Sequence, residues 1–252
     1  MTRIAVCVVK LPQRTIPPLD HGRKAPGGVS ISGVLELNNN THPPAVTLYS
    51  MAFFDVQNLF RHAKDAFQHT PGDGYHHPNF DPRKLHNKVS EKLGFRPTLT
   101  RFYTGIPPQS ESEMWSGYWS NRVLALKRSG IFVETRKLRY HTEEMPDGTV
   151  KKVPQEKGID IRIALDLVRC TRKKEFDVAI IFSQDQDLSE AVAEVNEIAK
   201  EQGRSIKIVS AFPKSAVASS SRGIDKTRWF PFDKAFYDTC IDPHDYRPAK
   251  FR

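Results

Sequence analysis

The amino-acid sequence predicts an α/β fold of three layers, α/β/α and Rossmann-like, around a mainly parallel central sheet. Three observations predict it. Strand-like and helix-like segments alternate from about residue 51 onward. The run Val178-Ala179-Ile180-Ile181-Phe182 is apolar at every position, as a strand covered on both faces requires. A helical pattern and a further strand then follow in the order of a right-handed parallel crossover.

The first strand is read at Ala52-Phe53-Phe54, running into Asp55, and the following helical face at Leu59, Ala63, Ala66 and Phe67. Residues 69–80 are a loop rich in Gly, Pro and His. Leu85, Val89 and Leu93 then mark a helix that Gly94 stops, before a strand at residues 98–103. Residues 113–129 form a helix carrying Trp115, Trp119, Val123 and Leu126, followed by a strand at 131–138. Met145-Pro146-Asp147-Gly148 is a turn in a Lys- and Arg-rich excursion. A helix at 159–170 precedes the apolar strand. Leu188, Val192, Val195 and Ile198 mark the next helix, ended by Gly203, and Ile206-Lys207-Ile208-Val209 the next strand. Residues 215–222 form a small, polar loop before a last strand near Trp229 and a helix near 232–240.

Residues 1–45 hold Pro12, Pro17, Pro18, Pro26, Pro43 and Pro44, a Gly27-Gly28 pair and Asn38-Asn39-Asn40, with no sustained period, and are expected to be an irregular, disordered extension. The folded domain is expected over 46–245, with 246–252 as a tail. Met51 stands directly before the first strong strand and is an alternative start of translation, a hypothesis that the intact mass of the native protein decides.

The chain has 252 residues and a formal charge of +9, which favours an anionic partner, nucleic acid before an acidic membrane surface. Cys7, Cys170 and Cys240 lack the spacing of a zinc site or the density of a disulfide scaffold, which suits a reducing cytoplasm. No stretch is long and apolar enough to span a bilayer. His76, His77 and His86 have no convincing partner set for zinc. There is no Walker-type phosphate loop, nucleophile-elbow serine or dinucleotide glycine fingerprint, so those enzyme classes recede.

Chemistry concentrates in aspartates. Ligands of an open parallel sheet sit at the carboxyl ends of its strands. Asp55 directly follows one apolar strand, with Asn58 three residues on, and Asp185 and Asp187 follow Ile180-Ile181-Phe182-Ser183. If those strands are neighbours, three carboxylates share a crevice, an unfavourable grouping unless a cation offsets it. Oxygen-only ligands point to Mg²⁺ or Mn²⁺. Other roles compete: Asp187 as N-cap of the next helix with Glu190 in a capping box, and Asp55 and Asn58 as turn or capping residues. Asp185 has no such competing role.

Phe53-Phe54-Asp55-Val56-Gln57-Asn58-Leu59 resembles the opening motif of NYN domains, a branch of the PIN-like nucleases. Lys157-Gly158-Ile159-Asp160 resembles that family's lysine-glycine-x-aspartate helix start, and residues 177–188 its apolar strand followed by serine-glycine-aspartate-x-aspartate. The resemblance spans about 51–241. It implies a PIN-like fold and a metal-dependent endoribonuclease in which Asp55, Asp160, Asp185 and Asp187 hold the metal and do the catalysis. Asn58, Ser183 and Lys157 would support them. RNA is implied over DNA, which the residues themselves do not exclude. Asp166, on another side of the same helix, suits a structural or outer contact. Gln184 stands where the family has glycine, and a positive φ there would strain it.

Two basic groups are candidate nucleic-acid surfaces: Arg136, Lys137, Arg139, Lys151 and Lys152 around the excursion, and Arg172, Lys173 and Lys174, with Arg169, at a helix C-terminus, where cations also stabilise the helix itself. Trp115, Tyr118 and Trp119 suit base stacking or, more readily by their spacing, the core. Two other functions fit the same residues: an RNA-binding or scaffold module on a PIN-like fold with weak or no catalysis, and a small-molecule phosphohydrolase.

Overall fold

The computed structural model describes residues 46–67, 79–145 and 148–252. The expected extension at 1–45, most of the Gly, Pro and His loop with His76 and His77, and Cys7 lie outside these residues. In chain order the elements are β1 (Tyr49–Asp55), α1 (Val56–Phe67), α2 (Pro82–Leu93), β2 (Arg96–Ile106), α3 (Glu113–Arg128), β3 (Phe132–Lys137), β4 (Arg139–Glu144) and β5 (Val150–Gln155). There follow α4 (Ile159–Arg172), β6 (Val178–Phe182), α5 (Leu188–Glu201), β7 (Lys207–Pro213), β8 (Arg228–Phe232) and α6 (Lys234–Asp238).

The apolar run at Val178–Phe182 is a central strand, as its composition predicts, and it pairs in parallel with β1 on one side and β7 on the other. The six-stranded sheet runs β3-β2-β1-β6-β7-β8, with every pairing parallel. Successive side chains of a strand face opposite ways, so β1 serves two cores. Ala52 and Phe54, with Val178, Ile180 and Phe182 of β6, pack against Leu59, Leu85, Val89 and Val123 from α1, α2 and α3. Met51 and Phe53, with Ala179 and Ile181, pack against Ile163, Leu167, Val192 and Val195 from α4 and α5. These two cores make the three layers.

Strand order reverses between β1 and β6: the chain builds outward through β2 and β3 on one side and through β7 and β8 on the other. Loops leaving the carboxyl ends of β1 and β6 therefore part in opposite directions and leave a crevice. The register sets Phe54 beside Phe182, with their rings stacked 4.0 Å apart.

Element boundaries follow local chemistry. Asp81 caps α2 by accepting from the backbone N–H groups of Arg83 and Lys84, Pro82 opens the helix, and Gly94 closes it at φ +74°. The segment before Met51 is woven into the sheet. Ser50 is buried and its hydroxyl bonds His86 and Ser90, while the Tyr49 and Leu48 carbonyls accept from the Asp177 and Arg96 N–H groups. A chain starting at Met51 would lack these bonds. His86 bonds Thr100 on its other nitrogen, and burial holds its pKa down at about 4, so it is a neutral member of a polar core network.

The basic excursion is a separate antiparallel ribbon, β4 with β5, in which Tyr140 faces Pro154 and Thr142 faces Lys152. Cys170 and Cys240 are buried free thiols. Among the described residues no helix is long and apolar enough to cross a membrane.

Candidate active site

β1 ends at Asp55 and β6 is followed by Ser183, so the register that pairs Phe54 with Phe182 brings these two polar residues together at the crevice. The Ser183 hydroxyl donates to Asp55 Oδ2 at 3.1 Å, and the Asn58 N–H donates to Asp55 Oδ1 at 3.3 Å. Asn58 Oδ1 in turn accepts the Gln184 N–H at 2.9 Å, tying the start of α1 to the loop after β6. The two strand ends are thus fastened by Asp55, Asn58, Ser183 and Gln184.

Asp55 is only 5% exposed. Burial raises its pKa to about 6, with Asp185 adding repulsion, while the Asn58 and Ser183 hydrogen bonds and the Arg61 charge act the other way. It is a turn residue with a hydrogen bond to each carboxylate oxygen and, at the same time, a buried acid of raised proton affinity.

Asp185 and Asp187 exchange the roles expected of them. Asp187 sits at the N-cap of α5 but makes no side-chain cap bond. Asp185 Oδ1 instead accepts the Asp187 N–H at 3.1 Å, and the Asp185 N–H donates to the Ser183 hydroxyl. Asp185 therefore has a structural duty after all, because its carboxyl is the one that folds back over the turn. Asp187 is solvent-exposed.

Asp160 opens α4. Gly158 before it adopts φ +81° with no atom near a would-be Cβ, so glycine is required there by backbone conformation and not by space. Lys157 is exposed. Asp166 points elsewhere: fully buried, it is bound by Arg101 at 3.2 Å, Arg169 at 3.1 Å, Arg162 at 3.5 Å and the Tyr103 hydroxyl at 2.9 Å. It is a structural ion cluster.

Gln184 is not strained. Lys174 and Lys226 are the non-glycine residues with positive φ among those described. Its side-chain amide instead donates to the Ser220 hydroxyl at 3.1 Å and the Arg222 carbonyl at 2.8 Å, and Gln186 bridges to Gly223 and Asp225. The two glutamines hold the loop before β8 against the crevice, work that a glycine could not do.

One acid escaped the sequence reading. Glu156, just after β5, has its carboxyl driven into the fold beside Gly105, where its Oε1 is buried without a hydrogen-bond partner. A Cβ on Gly105 would lie 3.1 Å from that oxygen and would collide with Leu138. Burial raises the Glu156 pKa to about 8, with repulsion from Asp55 and Asp160 adding to it and the Gly105 N–H and Arg61 opposing. Arg61 and His62, one turn after Asn58 on α1, also face this field. Burial lowers the His62 pKa, Arg61 lowers it further, and Asp65 and Asp185 oppose the shift. The available signals were the acid directly before the Lys157 motif and the helical spacing from Asn58.

Asp55, Asp160, Asp185 and Glu156 thus share one electrostatic neighbourhood, yet among the described residues no three His, Cys, Asp or Glu side chains converge closely enough to cage a metal ion. Of the basic candidates, Arg136 lies 4.0 Å from Glu134, Lys152 pairs with Glu111 at 3.0 Å and Arg172 with Glu194 at 3.2 Å. Arg172, Lys173 and Lys174 sit at the far end of α4 from Asp160, roughly 18 Å away along the helix axis.

The NYN domain family model matches residues 50–227, from the second residue of β1 to the residue before β8. No curated protein matches the chain. A crystal structure of a protein of unknown function from Vibrio parahaemolyticus aligns with 75% of this chain and 94% of its own at 15% identity, with a TM-score of 0.42.

Proposed function

The chain belongs to the NYN domain family, a PIN-like nuclease family, and on that premise we propose that it is a metal-dependent endoribonuclease that hydrolyses RNA phosphodiester bonds with Mg²⁺ or Mn²⁺. One observation carries the proposal: the fold gathers Asp55, Asp160, Asp185 and Glu156 at its switch point and leaves the buried Glu156 Oε1 without a partner. Burying like charges together is costly, and a hard divalent cation with water around it offsets that cost.

The donor set fits such an ion. Asp55, Asp160, Asp185 and Glu156 offer carboxylate oxygens and Asp187 a further one nearer solvent, and the lack of a three-ligand cage among the described residues suits an ion that keeps most of its waters. When bound, the ion would hold the scissile phosphate and activate a water. Asn58 and Ser183 fix the Asp55 carboxyl so that its orientation is set before substrate arrives. Glu156, with its proton affinity raised to about 8, holds or releases a proton near neutral pH at the edge of the same cluster. Arg61 supplies positive charge to this field, and the net charge of +9 attracts the polyanion. Two buried free thiols support a reducing, cytoplasmic setting.

The test is cleavage of a panel of single- and double-stranded RNA and DNA with Mg²⁺ or Mn²⁺, beside Asp185→Asn. The expected result is metal-dependent internal cleavage of RNA that the substitution abolishes while RNA binding persists. A wild-type protein that binds RNA and never cuts it with either metal would instead make the chain a binding or scaffold module.

A further inference from the structure

A cavity of about 290 Å³ opens beside the acids, between the start of α1, helix α3 and the β4–β5 ribbon. Its walls include the rings of Phe60, Trp115 and Tyr140, the face of Pro154, and the polar side chains of Gln57, Ser112 and Arg122. We infer that this cavity receives one unpaired base of the polynucleotide whose phosphate lies at the Asp55 crevice; this rests on the nuclease reading above.

Contiguity supports it first. Gln57 is two residues beyond Asp55, and its side-chain amide reaches the Gly105 carbonyl at 3.5 Å. Gly105 packs on its other flank against Glu156 and Leu138, and Leu138 also lines the cavity. Gly105 and Leu138 therefore lie between the cavity lining and the Glu156 carboxyl, so the cavity and the acid cluster are neighbours.

The chemistry of the walls selects the occupant. Flat aromatic rings accept any base by stacking, whatever its sequence. Arg122 is 2% exposed, donates to the Phe80 carbonyl at 2.7 Å, and has no carboxylate partner among the described residues, while its Nε lacks a hydrogen-bond partner. A buried cation in the wall repels cationic ligands and leaves a hydrocarbon chain unable to compensate it, whereas a base presents carbonyl and ring-nitrogen acceptors. The volume lies at the small end of ligand cavities, roughly 300–1,000 Å³, which suits a single ring system. In a duplex the bases are stacked inside, so the substrate must be single-stranded, looped or bulged at this position. The ribbon supplies Tyr140 and Pro154 from facing positions and is anchored by the Lys152–Glu111 pair, so it acts here through its rings and not only through its charges.

The experiment is fluorescence anisotropy in EDTA, where nothing is cut, with labelled strands of equal length. The strands are a single-stranded RNA, a fully abasic sugar-phosphate strand and an RNA duplex, each with wild type, Tyr140→Ala and Tyr140→Phe. Wild type is expected to bind the base-bearing single strand roughly 5- to 140-fold more tightly than the abasic strand. Tyr140→Ala should remove much of that ratio without changing the abasic Kd, and Tyr140→Phe should keep it. Equal wild-type affinity for base-bearing and abasic strands overturns the inference even if Tyr140→Ala does not fold, as it would if a segment of this chain filled the cavity. So does a Tyr140→Ala effect equal on all three strands. Those results leave the nuclease reading standing if RNA is still cut when metal is restored; a wild type that neither binds nor cuts any strand removes both.

Discussion

Among the described residues, the carboxylate of Asp166 and those around Asp55 are treated oppositely. Asp166 is surrounded by Arg101, Arg162, Arg169 and the Tyr103 hydroxyl, so every need of its charge is met from within the chain. Asp55 and Glu156 are buried beside each other's charge with Arg61 as their cationic relief, and Glu156 leaves an oxygen unbonded. A satisfied carboxylate is part of the scaffold. An unsatisfied one, held in place by the scaffold, stores a demand that a ligand from outside can meet.

The largest effect that would test this contrast is on activity. Asp55→Asn should reduce metal-dependent cleavage by more than the roughly 10- to 100-fold that outer-shell partners of a metal cost, without lowering the unfolding temperature. Asp166→Asn should do the reverse, destabilising by about 3 kcal/mol, the low end for a broken buried pair because Arg169 is half exposed. That is about 6–12 °C in Tm for a chain of this size. Comparable loss of activity in both variants, at temperatures where both are folded, would break the comparison.

pH sharpens it. The proton affinities of Asp55 and Glu156 are higher in the folded protein than in the unfolded chain, so their contribution to stability is complete below the ordinary carboxylate range. It is lost as pH rises through about 6 and about 8. Without metal, Tm should therefore fall between pH 5 and pH 9. Glu156→Gln should flatten that fall by about 3 kcal/mol, discounted for partial exposure, and Mg²⁺ or Mn²⁺ should restore wild-type Tm at pH 9 more than that of the variant. Thermal melts across pH with and without metal check this, and a wild-type Tm that metal leaves unmoved would count against an unmet demand.

Smaller effects follow at the turns. Gly158→Ala forces a side chain into the left-handed region at a cost of about 1–2 kcal/mol, seen as a lower Tm and, because Asp160 begins the helix there, as weaker cleavage. Gln184→Gly should cost about 1 kcal/mol by releasing the Ser220 and Arg222 contacts. Cleavage should stay within about tenfold, measured by paired melts and rates; a large gain in rate would mean that the glutamine restrains catalysis.

What could be read from the sequence followed what each segment must do alone. Val178–Phe182 declares a strand buried on two faces because every position is apolar, and Leu85, Val89 and Leu93 declare a helix. β4 and β5 did not, since both faces of much of that ribbon meet solvent and its side chains carry no alternating pattern. Asp55 and Asp185 were legible as acids at strand ends. Glu156 was not, because its burial is made by Gly105 and Leu138, contacts that no local pattern encodes. The parts played by Asp185 and Asp187 were likewise invisible: whether Asp187 caps the helix or Asp185 folds back onto the Asp187 N–H is decided by the turn between them.

The seating of Asp55 on the strand pair shared by both cores has a kinetic consequence. Hydrogen bonds at the junction of two cores open only when both come apart, so the amides of β1 and β6 should be among the last in the molecule to exchange with deuterium. Asp55 and Asp185 ride on the ends of that pair. Heat should then inactivate this protein by whole-domain unfolding, with no earlier stage in which the centre frays while the rest of the sheet endures.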